Sequence, residues 1–188
     1  VSQSPHLEAF RERGLEVLLL TDPVDELWAG SGIAFQGHRF QSVGKGEMPQ
    51  EGAAKAGEQG QDAGEFAPVL EGLQKLLAEE VKEVRLSSRL VSSPACLVGE
   101  ERDFSPHLEE LMRKMGHPVE RKRRILEVNP KHELIGKLRQ KFEADPAGEA
   151  LPAYARLLYG QALLAEGSPL PDPAGYGRLV AELMAKAL

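Results

Sequence analysis

The sequence predicts an α+β fold, and three observations carry that prediction. Segments with apolar residues at helical spacing alternate irregularly with short apolar runs of strand length, without the regular βα repeat of a parallel sheet. The stretch from Gly44 to Gly64 holds six glycines and neither an aromatic nor a β-branched residue, which divides the chain into a short part and a long one. The end, from Leu151 to Leu188, reads as two amphipathic helices broken at Gly167-Ser168-Pro169, with more apolar surface than two helices cover by themselves.

Ser4-Pro5 opens a short helix with Leu7 and Phe10 facing inward, and Gly14 ends it. Leu15 to Leu20 is a nearly continuous apolar run, the pattern of a strand covered on both faces. Asp22-Pro23 starts a helix carrying Val24, Leu27 and Trp28, and Ile33, Phe35, Phe40 and Val43 then flank Gly37 as a hairpin. Residues 1–46 are thus a small αβ piece, too little for a core of its own. Residues 47–65 are expected to be a flexible linker, because they bury too little to offset the entropy of ordering them.

Residues 66–188 follow as an α+β domain with a three-stranded sheet. Phe66, Val69, Leu70, Leu73, Leu76 and Leu77 keep one helical face apolar. A strand with Val84, Leu86, Ser88 and Leu90 on one side and Arg85, Ser87 and Arg89 on the other comes next, then a short strand from Ala95 to Val98. Ser105-Pro106 opens a helix with Leu108, Leu111, Met112 and Met115 on one stripe. Ile125, Leu126 and Val128 make the third strand, and Asn129-Pro130 is expected to cap a helix with Leu134, Ile135, Leu138 and Phe142. In the terminal hairpin, Leu151, Tyr154 and Leu158 line the first helix, and Tyr176, Leu179, Val180, Leu183 and Met184 the second, which Asp172-Pro173 starts. Such a hairpin buries its surface against its own domain or against the same hairpin of a second chain, and the expected arrangement is the second, a four-helix bundle.

With 41% hydrophobic and 28% charged residues the composition is that of a soluble globular protein. No apolar run approaches the roughly 20 residues a membrane helix needs, and no signal segment is readable, so no membrane partner and a cytoplasmic location are expected. The net charge of -6 argues against nucleic-acid binding, and the run Arg121-Lys122-Arg123-Arg124 reads as a solvated lead-in to a strand. Cys96 sits in an apolar run and reads as a buried structural thiol. The five histidines are scattered, without the spacing or cysteine partners of a metal site, and no nucleotide loop or nucleophile elbow is present. No catalytic residue and no metal ligand is therefore expected. The one cluster an enzyme reading would draw on is Glu83, Arg85 and Arg89.

These segments resemble, in order, the bacterial form of the ninety-kilodalton heat-shock chaperone, the HtpG family. The specific stretches are Glu16 to Glu26 (EVLLLTDPVDE), Val81 to Val91 (VKEVRLSSRLV), Ser93 to Val98 (SPACLV), Ile125 to Pro130 (ILEVNP) and Gln161 to Gly167 (QALLAEG). The resemblance implies that residues 1–46 are the end of the family's middle domain and 66–188 its carboxy-terminal dimerisation domain. The ATP-binding domain would lie outside this chain, which begins at Val1 without an initiator methionine. No cofactor is then expected here, ATP and magnesium belonging to the full-length parent, an ATP-driven chaperone of the stress response.

The resemblance further implies a homodimer held by the terminal bundle, with Leu158, Tyr176, Leu179, Val180 and Leu183 at its interface, and contact with non-native client proteins. The matching client-contact positions are Phe104, Leu108, Leu111 and Met112, with Trp28 one residue beyond the place where relatives carry a tryptophan, here Leu27. The end, Ala185-Lys186-Ala187-Leu188, lacks the acidic tail by which eukaryotic relatives recruit tetratricopeptide-repeat co-chaperones, so no such partner is implied. The alternative is a dimeric interaction or scaffold domain that binds no client. Exposure of the 105–115 stripe discriminates the two.

Overall fold

A computed structural model of the chain describes residues 4–48, 58–101, 103–117, 119 and 122–187, with the backbone alone for Pro23 and residues 58–63. Among them, seven helices and two small sheets mix as an α+β fold. A tight turn over Pro5–Leu7 leads into α1 (Glu8–Glu12), which ends at Gly14 with a positive φ of 67° that glycine adopts without a Cβ penalty. Helix α2 (Pro23–Gly30) is held at its start by a reciprocal cap between Asp22 and Asp25. Strands β1 (Ala34–Phe35) and β2 (His38–Arg39) form the expected hairpin, with positive φ at both turn residues, Gln36 and Gly37.

Leu15 to Leu20 form no strand, against the expectation, and Leu18, Leu19 and Leu20 stand exposed. The reason is pairing: a strand exists only through a neighbour's ladder, and no described strand lies beside this run to supply one.

Helix α3 (Glu58–Leu76) begins inside the stretch read as a linker, while residues 49–57 of that stretch lie outside the described residues. Strands β3 (Val81–Leu86), β4 (Ala95–Val98) and β5 (Arg124–Val128) make the three-stranded sheet in the order β3-β5-β4, with β3 parallel and β4 antiparallel to the central β5. Helix α4 (Pro106–Lys114) joins β4 to β5; α5 (Glu133–Ala144), α6 (Leu151–Glu166) and α7 (Pro173–Ala187) complete the chain. The cap of α5 is His132, whose Nδ1 accepts the Leu134 N–H, and not Asn129-Pro130. Asn129 is instead buried, donating its amide to the carbonyls of Val91 and Ser93.

The main core lies between one face of the sheet and α3, α5 and α6, where Val69, Leu73, Leu126, Ile135 and Leu163 are fully buried. Strand β4 is buried on both faces, with Ala95 and Leu97 in this core while Cys96 and Val98 pack on the other side with Leu90. Burial pushes the Cys96 thiol pKa up, which keeps it protonated and unreactive. That second face is where residues 4–48 dock.

Candidate functional site

Two surfaces carry the residues singled out from the sequence. The first is the outer side of the terminal hairpin. Gly167, at φ 86°, ends α6, and Asp172 starts α7 by accepting the Gly175 N–H at 2.9 Å. The helices meet where Tyr176 lies over Gly160, so closely that a Cβ on Gly160 would stand 2.6 Å from the ring. None of the residues of α7 is buried: Tyr176, Leu179, Val180 and Leu183 are half-covered and Met184 is 60% exposed. Leu158 is different. It is 2% exposed, packed in the protomer's own core, and so offers no surface to a second chain.

The second surface is α4 with the residue before it. Ser105 caps the helix by accepting the Leu108 N–H, and Gly116 ends it at φ 82°. The helix is seated by Leu108 and Glu109, 5% and 4% exposed, so Leu108 is an anchor and not an outward contact. Glu109 accepts from Arg124 at 3.3 Å, and Arg124 also reaches Glu166 at the end of α6, so one cation of β5 holds both helices. Leu111 and Met112 are half-buried, while Phe104 and Met115 are exposed. The α4 stripe is thus split between core and surface, which a 3.6-residue period alone does not resolve.

Trp28 is exposed on α2 and rests against Phe40, ring centroids 4.9 Å apart, beside the exposed Val24 and Leu27. Between α2 and α4, Glu26 accepts from the Ser105 N–H at 2.6 Å, from the Ser105 hydroxyl, and from Lys45 Nζ at 3.1 Å. Burial works to raise its pKa, and these donors overcome that and hold it below the usual carboxylate range.

The cluster of Glu83, Arg85 and Arg89 assembles differently from its sequence spacing. Glu83 is exposed, and both arginines converge on Glu127 of β5, buried at 3%. The parallel register sets Arg85 beside Glu127, a pairing 42 residues apart in sequence. Arg89 and Glu127 are buried and hydrogen-bonded to each other, with Arg85 at their edge, the arrangement of a structural ion pair.

A cavity of about 170 Å³ is lined by Glu79, Glu80, Leu97, Lys122, Arg123, Arg124, Tyr159, Leu163 and Pro171. Among the described residues no three His, Cys, Asp or Glu gather as metal ligands, and no helix is long and apolar enough to cross a membrane.

Comparison with known proteins places these surfaces in a family. The family described as Hsp90 protein matches residues 1–188. The chaperone protein HtpG of Frankia casuarinae is 50% identical over 192 residues, covering 100% of this chain and 30% of that protein. That of Nocardia farcinica is 47% identical over 199 residues, again 100% of this chain and 30% of the relative. That of Mycobacterium tuberculosis is 48% identical over 190 residues, covering 99% of this chain and 29% of the relative. The chain therefore spans about 30% of the length of the curated relatives it matches. With the whole chain matched and about half its residues identical to those of HtpG chaperones, it belongs to the Hsp90 family, in its HtpG branch.

Proposed function

We propose that this chain is the dimerisation and client-contact portion of a bacterial chaperone, with residues 1–46 the end of its middle domain and 66–188 its carboxy-terminal domain. The observation that carries the dimer is α7: a helix with Tyr176, Leu179, Val180, Leu183 and Met184 on it and no buried residue leaves an apolar face only partly covered. Two copies would join such faces as a four-helix bundle, and Leu179 or Leu183 would contribute about 1.5–3 kcal/mol each on full burial. Sedimentation of the chain at micromolar concentration tests this. The mass is expected to be that of a dimer, and Leu183→Asp is expected to return it to a monomer; a Leu183→Asp chain that dimerises with unchanged affinity removes the bundle reading.

Client contact is assigned to Phe104, Leu111, Met112 and Met115, with Trp28 on α2. Unbranched, polarizable methionines beside aromatic rings suit a surface that takes many sequences. Leu108 supports this surface from below. Phe104→Ser with Met112→Gln is expected to keep the fold and the dimer and to weaken binding to a reduced, unfolded test protein. Unchanged binding in that variant favours a dimeric scaffold without clients. The parent is read as a cytoplasmic stress-response ATPase. ATP and magnesium are assigned to parts outside this chain, in keeping with the absence of a nucleotide loop from its sequence. No step of the proposed function here runs through them.

A further inference from the structure

The seam between residues 4–48 and the second face of the sheet lays the turn with buried Pro5 and Leu7 against β4, and beside it runs a buried polar network. Glu127, on the central strand β5, receives Arg85 at 2.8 Å, Arg89 at 2.9 Å and the Ser87 hydroxyl at 2.8 Å. Arg89 is 1% exposed, and its two terminal nitrogens donate to main-chain carbonyls of the other part of the chain, Val43 and Gly46, each at 2.6 Å, the one on Gly46 also reaching Glu127 Oε1 at 3.5 Å. In return the Ala9 N–H donates to the Arg89 carbonyl at 3.1 Å, and Gly44 and Gly46 exchange hydrogen bonds with Gly99 at 3.0 and 2.9 Å.

Both flanks repeat the pattern with a carboxylate. On one, Glu8 accepts the N–H groups of Val91, Ser92 and Ser93 at 2.6, 2.8 and 3.1 Å and the hydroxyls of Ser92 and Ser93 at 2.9 and 2.5 Å. On the other, Glu26 holds the start of α4 through Ser105 and binds Lys45. The small apolar cluster nearby, Ala9, Phe10 and Met48 with Val17 and Val43, belongs wholly to residues 4–48 and does not cross the seam.

We propose that this seam is a three-point polar clasp: Arg89 seated on Glu127, with Glu8 and Glu26 on its flanks, locks residues 4–48 onto the sheet as one rigid body and holds the apolar residues of α2 in a set orientation to those of α4. An apolar seam tolerates sliding, because dispersion and hydrophobic contacts are non-directional. A guanidinium shared between one carboxylate and two carbonyls has one geometry, and its loss leaves buried charge unpaired, so the seam is closed in a single register or open. Burial works to raise the Glu8 pKa, and the Ser93 hydroxyl and the three N–H groups overcome it and hold the carboxyl at about 2, so the flank stays charged across the physiological range. The link to client contact rests on the function proposed above; the lock itself does not.

The test is a distance measurement on the full chain. Cysteines placed at the exposed positions Arg39 and Gln140 are spin-labelled in the native state, where the buried Cys96 does not react, and labelled chains are diluted into unlabelled chain so that only the distance within one protomer is read. The unmodified chain is expected to give one narrow distance. Glu8→Gln with Glu26→Gln, which leaves the buried Arg89–Glu127 pair intact and the fold with it, is expected to broaden that distance about twofold or more as the flanks open. Arg89→Lys, which keeps the charge and loses the fork to Val43 and Gly46, is expected to do the same. A broad distance in the unmodified chain, or an unchanged narrow one in both variants, overturns the clasp. A broadened distance with full binding to an unfolded test protein keeps the clasp and removes its bearing on client contact.

Discussion

His6 shows how one residue reports on this packing. Its Nδ1 is enclosed and has no hydrogen-bond partner among the described residues, and burial, reinforced by the Arg89 and Arg124 charges and opposed by Glu127, lowers its pKa from 6.5 to about 4. A base with a lowered folded pKa is protonated first in the unfolded chain, so its contribution is full above 6.5 and is lost as pH falls toward 4. Urea denaturation at about pH 7.5 and about pH 5 should therefore give a lower midpoint in acid, and His6→Gln should remove much of the difference. Glu8 adds little in that window, since its share is lost only as pH falls from 4.5 toward 2. Residue identity also separates the two roles on α4. Leu108→Asn should cost about 2–4 kcal/mol, from a lost buried side chain and a buried amide, while Met112→Gln on the half-exposed side should change thermal stability little. Leu108 and Met112 look alike in the sequence because they share a helical stripe; which of them is covered depends on what the fold lays against that stripe.

At the scale of elements, two glycines set how closely helices meet. A Cβ on Gly160 of α6 would stand 2.6 Å from the Tyr176 ring of α7, and one on Gly72 of α3 would stand 2.2 Å from Phe142 of α5. Gly160→Ala must move Tyr176 or tilt α7, at a cost of about 1–3 kcal/mol, and should weaken self-association because the outer face of α7 moves with it. Gly72→Ala should cost a similar amount of stability, read from the denaturation midpoint, while leaving the dimer affinity of the folded protein unchanged. Equal effects of both on affinity would say that α7 takes no special part in association. Neither glycine announces this in the sequence, where a mid-helix glycine reads only as a weak helix former. The run from Leu15 to Leu20 is the converse case: its composition is that of a strand, yet strand formation is a property of a pair, and no described strand pairs with it.

For the whole molecule, association and folding are linked. If the α7 faces close on one another, the melting temperature should rise with protein concentration, and Leu183→Asp should make it independent of concentration. Scanning calorimetry over a hundredfold range of about 1 to 100 μM reads this directly, and a flat melting temperature in the unmodified chain would count against the dimer. The sequence by itself determined the α+β class, the order of helices and strands from α3 onward, the caps at Ser105 and Asp172, the hairpin turn at Gly37 and membership of the Hsp90 family, because periodicity, capping chemistry and motif identity are local properties. The tertiary structure alone decided that Glu127 and not Glu83 receives Arg85 and Arg89, that Leu158 and Leu108 face inward, and that Glu8 and Glu26 bind the other part of the chain. Those pairings join residues 38 to 85 positions apart, and no pattern within a window of a helix or strand carries the information that the β3-β5-β4 register and the docking of residues 4–48 supply.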